Sequence, residues 1–157
     1  HLVLSTIHTN SAAGTVQRLI NMGVEPFLLA SAMKMVISQR LWKRLCQNCK
    51  EPFPIKEAEI PKLKEHLNPI LDEEVENLTF YKWKGCDKCK WSGYKGRLWI
   101  HEVLICWDYL EPLILEKESA NVMKEAGIKE WMVTIVQDWL LKALLWETTV
   151  EEALKLI

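Results

Sequence analysis

Two Cys-x-x-Cys pairs, Cys46-Gln-Asn-Cys49 and Cys86-Asp-Lys-Cys89, constrain this chain more than any other feature of its sequence. A tight turn within each pair can place two thiolates on one side of the backbone. Two such knuckles brought together complete a tetrahedral S4 shell suited to Zn2+. The 36 residues from 50 to 85 must then leave and return to the same place, so they read as an insertion between two strand ends. Four protein ligands leave no coordination position open, which makes the metal a support for the fold rather than a catalyst. Two disulfides, a redox-active pair and an iron–sulfur cluster are the other uses of this pattern. Nothing in the sequence indicates the oxidising compartment that disulfides need, and two matched pairs favour a metal over a redox motif. Cys106 is left over at the end of an apolar strand candidate and reads as a core thiol.

The 157 residues suit one domain or a piece of a larger protein. Hydrophobic residues at 49% and charged residues at 26% exclude a disordered, collagenous or toxin-like chain. Uncharged stretches such as Pro26–Met33 fall far short of the roughly 18 apolar residues of a membrane span. No secretory leader is visible, and an opening at His1 without methionine suggests a cut from a longer protein. The net charge of −1 is unevenly spread. Residues 34–50 carry five bases and no acid, and residues 82–97 carry six bases against one acid. Residues 51–78 hold eight acids against three bases, and residues 98–157 hold eleven against five. Both basic blocks contain a cysteine pair. They read either as a solvated face that compensates thiolate charge or as a contact for an anionic partner: nucleotide, nucleic acid or lipid headgroups.

Leu2–Ile7 reads as a buried strand that ends in the polar turn His8-Thr9-Asn10. Ser11 then caps a helix whose stripe of Val16, Leu19 and Ile20 stops at Gly23. Strand, polar loop and helix form the βα unit of α/β proteins, where ligands meet the carboxyl ends of strands. A second helix is expected from Pro26 through Ile37, followed by a strand over Gln39–Leu45. Glu51–Asn77, with prolines at 52, 54, 61 and 69, suggests one or two short surface helices. Phe80–Trp83 and Arg97–Ile105 are strand candidates. Helices are expected over Glu111–Lys117, Ala120–Ala126, Met132–Leu145 and Val150–Leu156, the last opened by the capping box Thr149-x-x-Glu152.

His1-Leu-Val-Leu-Ser-Thr-Ile-His8-Thr-Asn10, Met22-Gly-Val-Glu-Pro-Phe27, Gln39-Arg-Leu41, the two cysteine pairs, Gly93-Tyr-Lys-Gly-Arg97 and Ile100-His-Glu-Val-Leu104 occur in an order that resembles one family. It is the traffic ATPases of type II secretion and type IV pilus assembly, and the resemblance covers essentially the whole chain. It implies an α/β fold: the carboxyl-terminal part of a RecA-like P-loop ATPase domain (residues 1–45), an inserted tetracysteine zinc module with an acidic insertion (46–106), and a C-terminal helical region (107–157). It further implies a cytoplasmic homo-hexameric motor, peripheral to the inner membrane, that uses ATP and Mg2+ and works against a membrane platform protein; no specific nucleic acid is expected. Within the family's His box the second histidine, here His8, faces the nucleotide phosphates and is the expected catalytic residue, while His1 has a structural role. Taken alone, a histidine after a strand is more often a turn or core residue. Cys46, Cys49, Cys86 and Cys89 are the expected metal ligands. The sequence contains no G-x-x-x-x-G-K-[ST], so the backbone cradle and lysine for the β- and γ-phosphates are missing, and no acid precedes His1 as a Walker B partner. The chain alone is therefore expected not to hydrolyse ATP. A free-standing zinc module that binds nucleic acid through its basic flanks and aromatics such as Tyr81 and Tyr94 is the competing reading, and a basic adaptor docking on a membrane platform is a third. The nucleic-acid reading gives no role to the histidine unit or to the acidic helical tail.

The composition holds one anomaly. There are 6 Gly and 8 Trp, whereas ordinary usage near ~7% would supply roughly 11 Gly. By the same resemblance, Trp83, Trp91, Trp99, Trp131, Trp139 and Trp146 stand where the family usually has glycine. A source that reads UGA as glycine, rendered here as tryptophan, would produce this pattern. A true tryptophan-rich variant with aromatics for partner docking is the alternative. If glycine is native, these indoles should lie mostly exposed or strained, with unpaired N–H groups.

Overall fold

The computed structural model describes residues 1–67, 69–71 and 74–154. It is a mixed α/β structure divided into two compact units: His1–Gln39 with His101–Thr134, and Arg40–Ile100 with Ile135–Ile157. Two strands, β1 (Met35–Leu45) and β4 (Tyr94–Ile105), pair with each other and contribute residues to both units. The pairing is antiparallel, as the Cys106 N–H bond to Lys34 O (2.9 Å) and the Cys46 N–H bond to Gly93 O (3.0 Å) show.

In the first unit, α1 (Ala12–Asn21) forms as its sequence predicts. Ser11 Oγ accepts from the Gly14 N–H at 3.1 Å, and Ala12, Ala13 and Val16 are buried. Gly23, at φ +89°, ends the helix: its N–H reaches Ile20 O (2.9 Å) and the next N–H, of Val24, reaches Leu19 O (3.2 Å). The helix α2 (Pro26–Ala32) is shorter than expected. Met33 is already extended at ψ 125°, and β1 takes up Met35, Val36 and Ile37, so the helix predicted to run through Ile37 stops five residues earlier and the strand begins four residues before Gln39. β-Branched Val36 and Ile37 suit the pleated strand, with Val36 turned inward. The remaining helices are α4 (Glu111–Leu115), packed on α2, and α5 (Ala120–Lys129), packed on α1. The core joins Ala12, Ala13, Val16, Leu29, Val36, Leu104, Leu110, Ile114, Met123 and Met132. Gly127 of α5 sits so close that an added Cβ would meet Leu104 Cδ1 at 2.7 Å.

The predicted strand Leu2–Ile7 is not formed. The segment runs irregularly, with Leu2, Val3 and Leu4 exposed. A strand exists only where a neighbour completes its ladder, and β1 and β4 bond to each other instead.

In the second unit, β2 (Lys50–Phe53) pairs antiparallel with β3 (Phe80–Trp83) in the register Lys50 to Trp83 and Phe53 to Phe80. The Lys82 ammonium faces Glu51 across this ladder at 3.6 Å. Among the described residues, the α-helices of this unit are α3 (Ile60–Leu67), α6 (Ile135–Leu144) and α7 (Val150–Leu154). Helix α6 is central, because Ile135, Trp139, Leu140 and Ala143 are all buried against Leu63, Leu67, Phe80, Leu98, Ile100 and Val150. Each fully buried Leu, Ile or Phe among them contributes roughly 1.5–3 kcal/mol. Helix α7 begins directly after Thr149, where the sequence places it; Lys155 and Leu156, also expected in it, lie outside the described residues. The helical region 107–157 is thus shared between the units, parting at Thr134.

The six anomalous tryptophans fall into distinct settings. Trp91, Trp131 and Trp146 have positive φ (62°, 67° and 62°), and Trp83 and Trp99 are exposed in strands. Trp139 alone is buried, at 1% exposure, and its indole N–H has no hydrogen-bond partner. No helix among the described residues is long and apolar enough to cross a membrane.

Candidate functional site

The four cysteines of the two pairs converge. Their sulfurs all lie within 4.8 Å of one another, with Cys46–Cys86 at 3.9 Å and both Cys49–Cys89 and Cys86–Cys89 at 3.8 Å. A tetrahedral ion with metal–sulfur bonds of about 2.3 Å requires sulfur edges of about 3.8 Å, so the quartet has the dimensions of a zinc shell. All five cysteines of the chain are free thiols. The knuckles are positioned by strand ends. The Cys46 pair follows β1 and leads into β2, and the Cys86 pair lies between β3 and β4. The Lys84 N–H bonds Cys49 O at 2.8 Å and ties one knuckle to the other. Within the second pair the Cys89 N–H bonds Cys86 O (3.2 Å) and the Trp91 N–H bonds the same oxygen (3.0 Å), closing the tight turn that such a knuckle needs.

The environment divides the thiols. Burial pushes Cys49 up to about 12. Burial acts on Cys89 in the same direction, but hydrogen bonds with the backbone at Cys86 and Gly93 prevail and hold it down to about 6. Cys89 thus gives up its proton more readily than Cys49. Cys106 lies apart, half-buried beside Tyr109, and burial raises it to about 11, which suits an inert core thiol.

His8 lies on the loop before α1, exposed, on the rim of an open groove of about 880 Å3 lined also by Thr9, Asn10, Met33 and Met35. It follows an irregular segment rather than a strand end, and His1 is exposed at the start of that segment. The residues after His8 are firmly held. Thr9 Oγ1 donates to Ser11 O (3.2 Å) and contacts Thr15 Oγ1 at 2.8 Å, and Thr15 Oγ1 donates to the same Ser11 oxygen at 3.3 Å. The Ala12 N–H, at the start of α1, donates to Glu102 Oε1 at 2.8 Å. Sequence reading passed over Glu102, although the signal was available. Leu98, Ile100, Glu102 and Leu104 alternate onto the buried face of β4, and a carboxylate in such a row must have a partner.

A model of the family described as Type II/IV secretion system protein matches residues 1–155. The chain is 39% identical to the type IV pilus assembly ATPase PilB of Myxococcus xanthus, over 97% of this chain and 26% of that protein. It is 40% identical to the protein of the same name from Thermus thermophilus, over 98% of this chain and 17% of that one. It is 41% identical to the type II secretion system ATPase E of Vibrio cholerae, over 99% of this chain and 29% of that one. The chain therefore spans less than a third of the length of these relatives. From its first residues to its last helix, it belongs to the Type II/IV secretion system protein family.

Proposed function

We propose that this chain is the carboxyl-terminal part of a RecA-like, hexameric motor that hydrolyses ATP with Mg2+ and powers type IV pilus assembly or type II protein secretion. Such a motor works in the cytoplasm against a platform protein of the inner membrane. The observation that carries the reading is the similarity, across nearly all of this chain, to proteins named as the ATPases of those two processes. In this reading Cys46, Cys49, Cys86 and Cys89 hold one Zn2+, which when bound cross-links the two knuckles and has no open position for chemistry. His8 addresses the nucleotide phosphates. An imidazole on a loop held by Thr9, Ser11 and Thr15 can donate a hydrogen bond to a phosphate oxygen or orient the attacking water during in-line displacement. The P-loop is not among these residues, and in this reading another part of the motor supplies it.

The test is His8→Ala in the intact protein. Turnover should fall by about tenfold or more while the nucleotide dissociation constant stays within about threefold, the pattern of a group acting in the transition state. Unchanged turnover returns His8 to an ordinary turn residue.

A further inference from the structure

We propose that Glu102 is a positioning residue for the His8 loop, a role that rests on the reading of His8 given above. Glu102 is 3% exposed and lies on the inward face of β4. A carboxylate is costly to bury unless its charge is met by hydrogen bonds. Here the Ala12 N–H meets it at 2.8 Å, across 90 positions of sequence. Ala12 is the first residue of α1, so its N–H is one of the donors that an α-helix leaves without an internal partner. The amino end of the helix also carries partial positive charge, which favours an anion there. Ser11 Oγ satisfies a second of these donors, that of Gly14. The beginning of α1 is thus clamped twice, once by its own cap and once by a charged side chain from a strand.

The clamp matters because of what precedes it. Three residues separate His8 from Ala12. Ser11 O, inside that span, accepts from both Thr9 Oγ1 and Thr15 Oγ1. The backbone leaving His8 therefore has little freedom as long as Ala12 stays on Glu102. A charge-assisted bond between a strand and a helix start is a stiffer anchor than the neutral side-chain bonds around it. Removing it frees the loop to drift. Drift of about 1 Å in a group that orients a reacting phosphate is enough to lower turnover severely. Glu102, buried on the inward face of β4, acts through the position of His8.

The experiment is a double-mutant cycle in the intact protein, with Glu102→Gln, His8→Ala and the pair together. Gln keeps an oxygen that can accept from Ala12 but loses the charge. Glu102→Gln should lower kcat about tenfold with the KM for ATP within about twofold, and should add nothing in the His8→Ala background. Zinc content and melting temperature should match the unmodified protein. Amide exchange over residues 9–15 should quicken without nucleotide, which a remote loss of stability would not confine to that segment. Full activity of Glu102→Gln beside an impaired His8→Ala overturns the positioning role alone, and so do fully multiplicative effects in the pair. Unchanged turnover in His8→Ala overturns the reading beneath it. If Glu102→Gln fails to fold, Glu102→Asp, which keeps the charge but withdraws it from Ala12, is judged by the same readouts.

Discussion

Trp131 and Trp146 occupy the backbone position that the first helix of the chain gives to Gly23. After α5, the Trp131 N–H bonds Ile128 O (3.1 Å) and the Met132 N–H bonds Gly127 O (2.9 Å). After α6, the Trp146 N–H bonds Ala143 O (3.1 Å) and the Glu147 N–H bonds Lys142 O (2.9 Å). These are the paired bonds that close α1 at Gly23. Lys117 does the same after α4 at φ 56°, so a side chain is tolerated there, but the left-handed conformation costs roughly 1–2 kcal/mol for any L-residue. Trp131, 87% exposed, offsets that cost with little packing. Trp131→Gly should therefore stabilise the chain by about 1 kcal/mol, read as a rise in the denaturation midpoint. Trp146→Gly should gain less, because the Trp146 ring also packs on Tyr81 (5.2 Å) and under the Lys50 ammonium (4.1 Å). Trp139→Gly should do the opposite and cost about 3–5 kcal/mol, since it empties the centre of the second unit's core. A destabilised Trp131→Gly would show the indole to be a true packing residue. The codons decide the origin of all six: UGG at these positions ends the glycine reading.

At the scale of elements, the knuckles and the ladder between them stand or fall together. Strand β2 was not legible in the sequence, because Lys50-Glu51-Pro52-Phe53 carries two charges and a proline. It exists because Cys49 and Cys86 hold its start beside the end of β3, so that a ladder of four pairs can close. A ladder this short is not stable by itself in water. Cys89→Ser should therefore abolish binding of one Zn2+ per chain and speed amide exchange through β2, β3 and the start of β4, while α1 keeps its protection. Elemental analysis and exchange mass spectrometry read the two effects, and protein purified under reducing conditions without zinc would refute the site. The pH dependence follows from the thiols. Each must lose its proton to bind the metal, and while Cys89 sits low, at about 6, burial holds Cys49 up at about 12, so protons compete with the metal increasingly as the pH falls. Zinc measured after stepwise dialysis to lower pH should be lost progressively, and retention independent of pH would refute thiolate ligation.

At the scale of the whole molecule, the proposed motor role divides its labour between the His8 loop of this chain and a P-loop. The 157 residues include no P-loop motif. The chain by itself should show no ATP hydrolysis above background in a phosphate-release assay, and turnover in that assay would overturn the division of labour proposed for it.

Local rules carried much of this structure. The Ser11 cap, the Gly23 stop, the strand at Phe80–Trp83, the starts of the helices at Glu111, Ala120 and Val150, and the partnership of the four cysteines all follow from residue type and spacing. They were legible because each depends on neighbours a few residues away or, for the cysteines, on a coordination chemistry with few solutions. Tertiary structure decided the rest. Leu2–Ile7 has the composition of a strand, yet strands are made by partners, and β1 and β4 took each other. Val36 and Ile37 left the predicted helix for the same reason. The Glu102–Ala12 bond spans 90 positions, so no local pattern could name its acceptor even though the inward register of β4 announced that one was needed. Hydrogen-bonding partners at long range are a property of the fold, and only the folded chain shows which it has chosen.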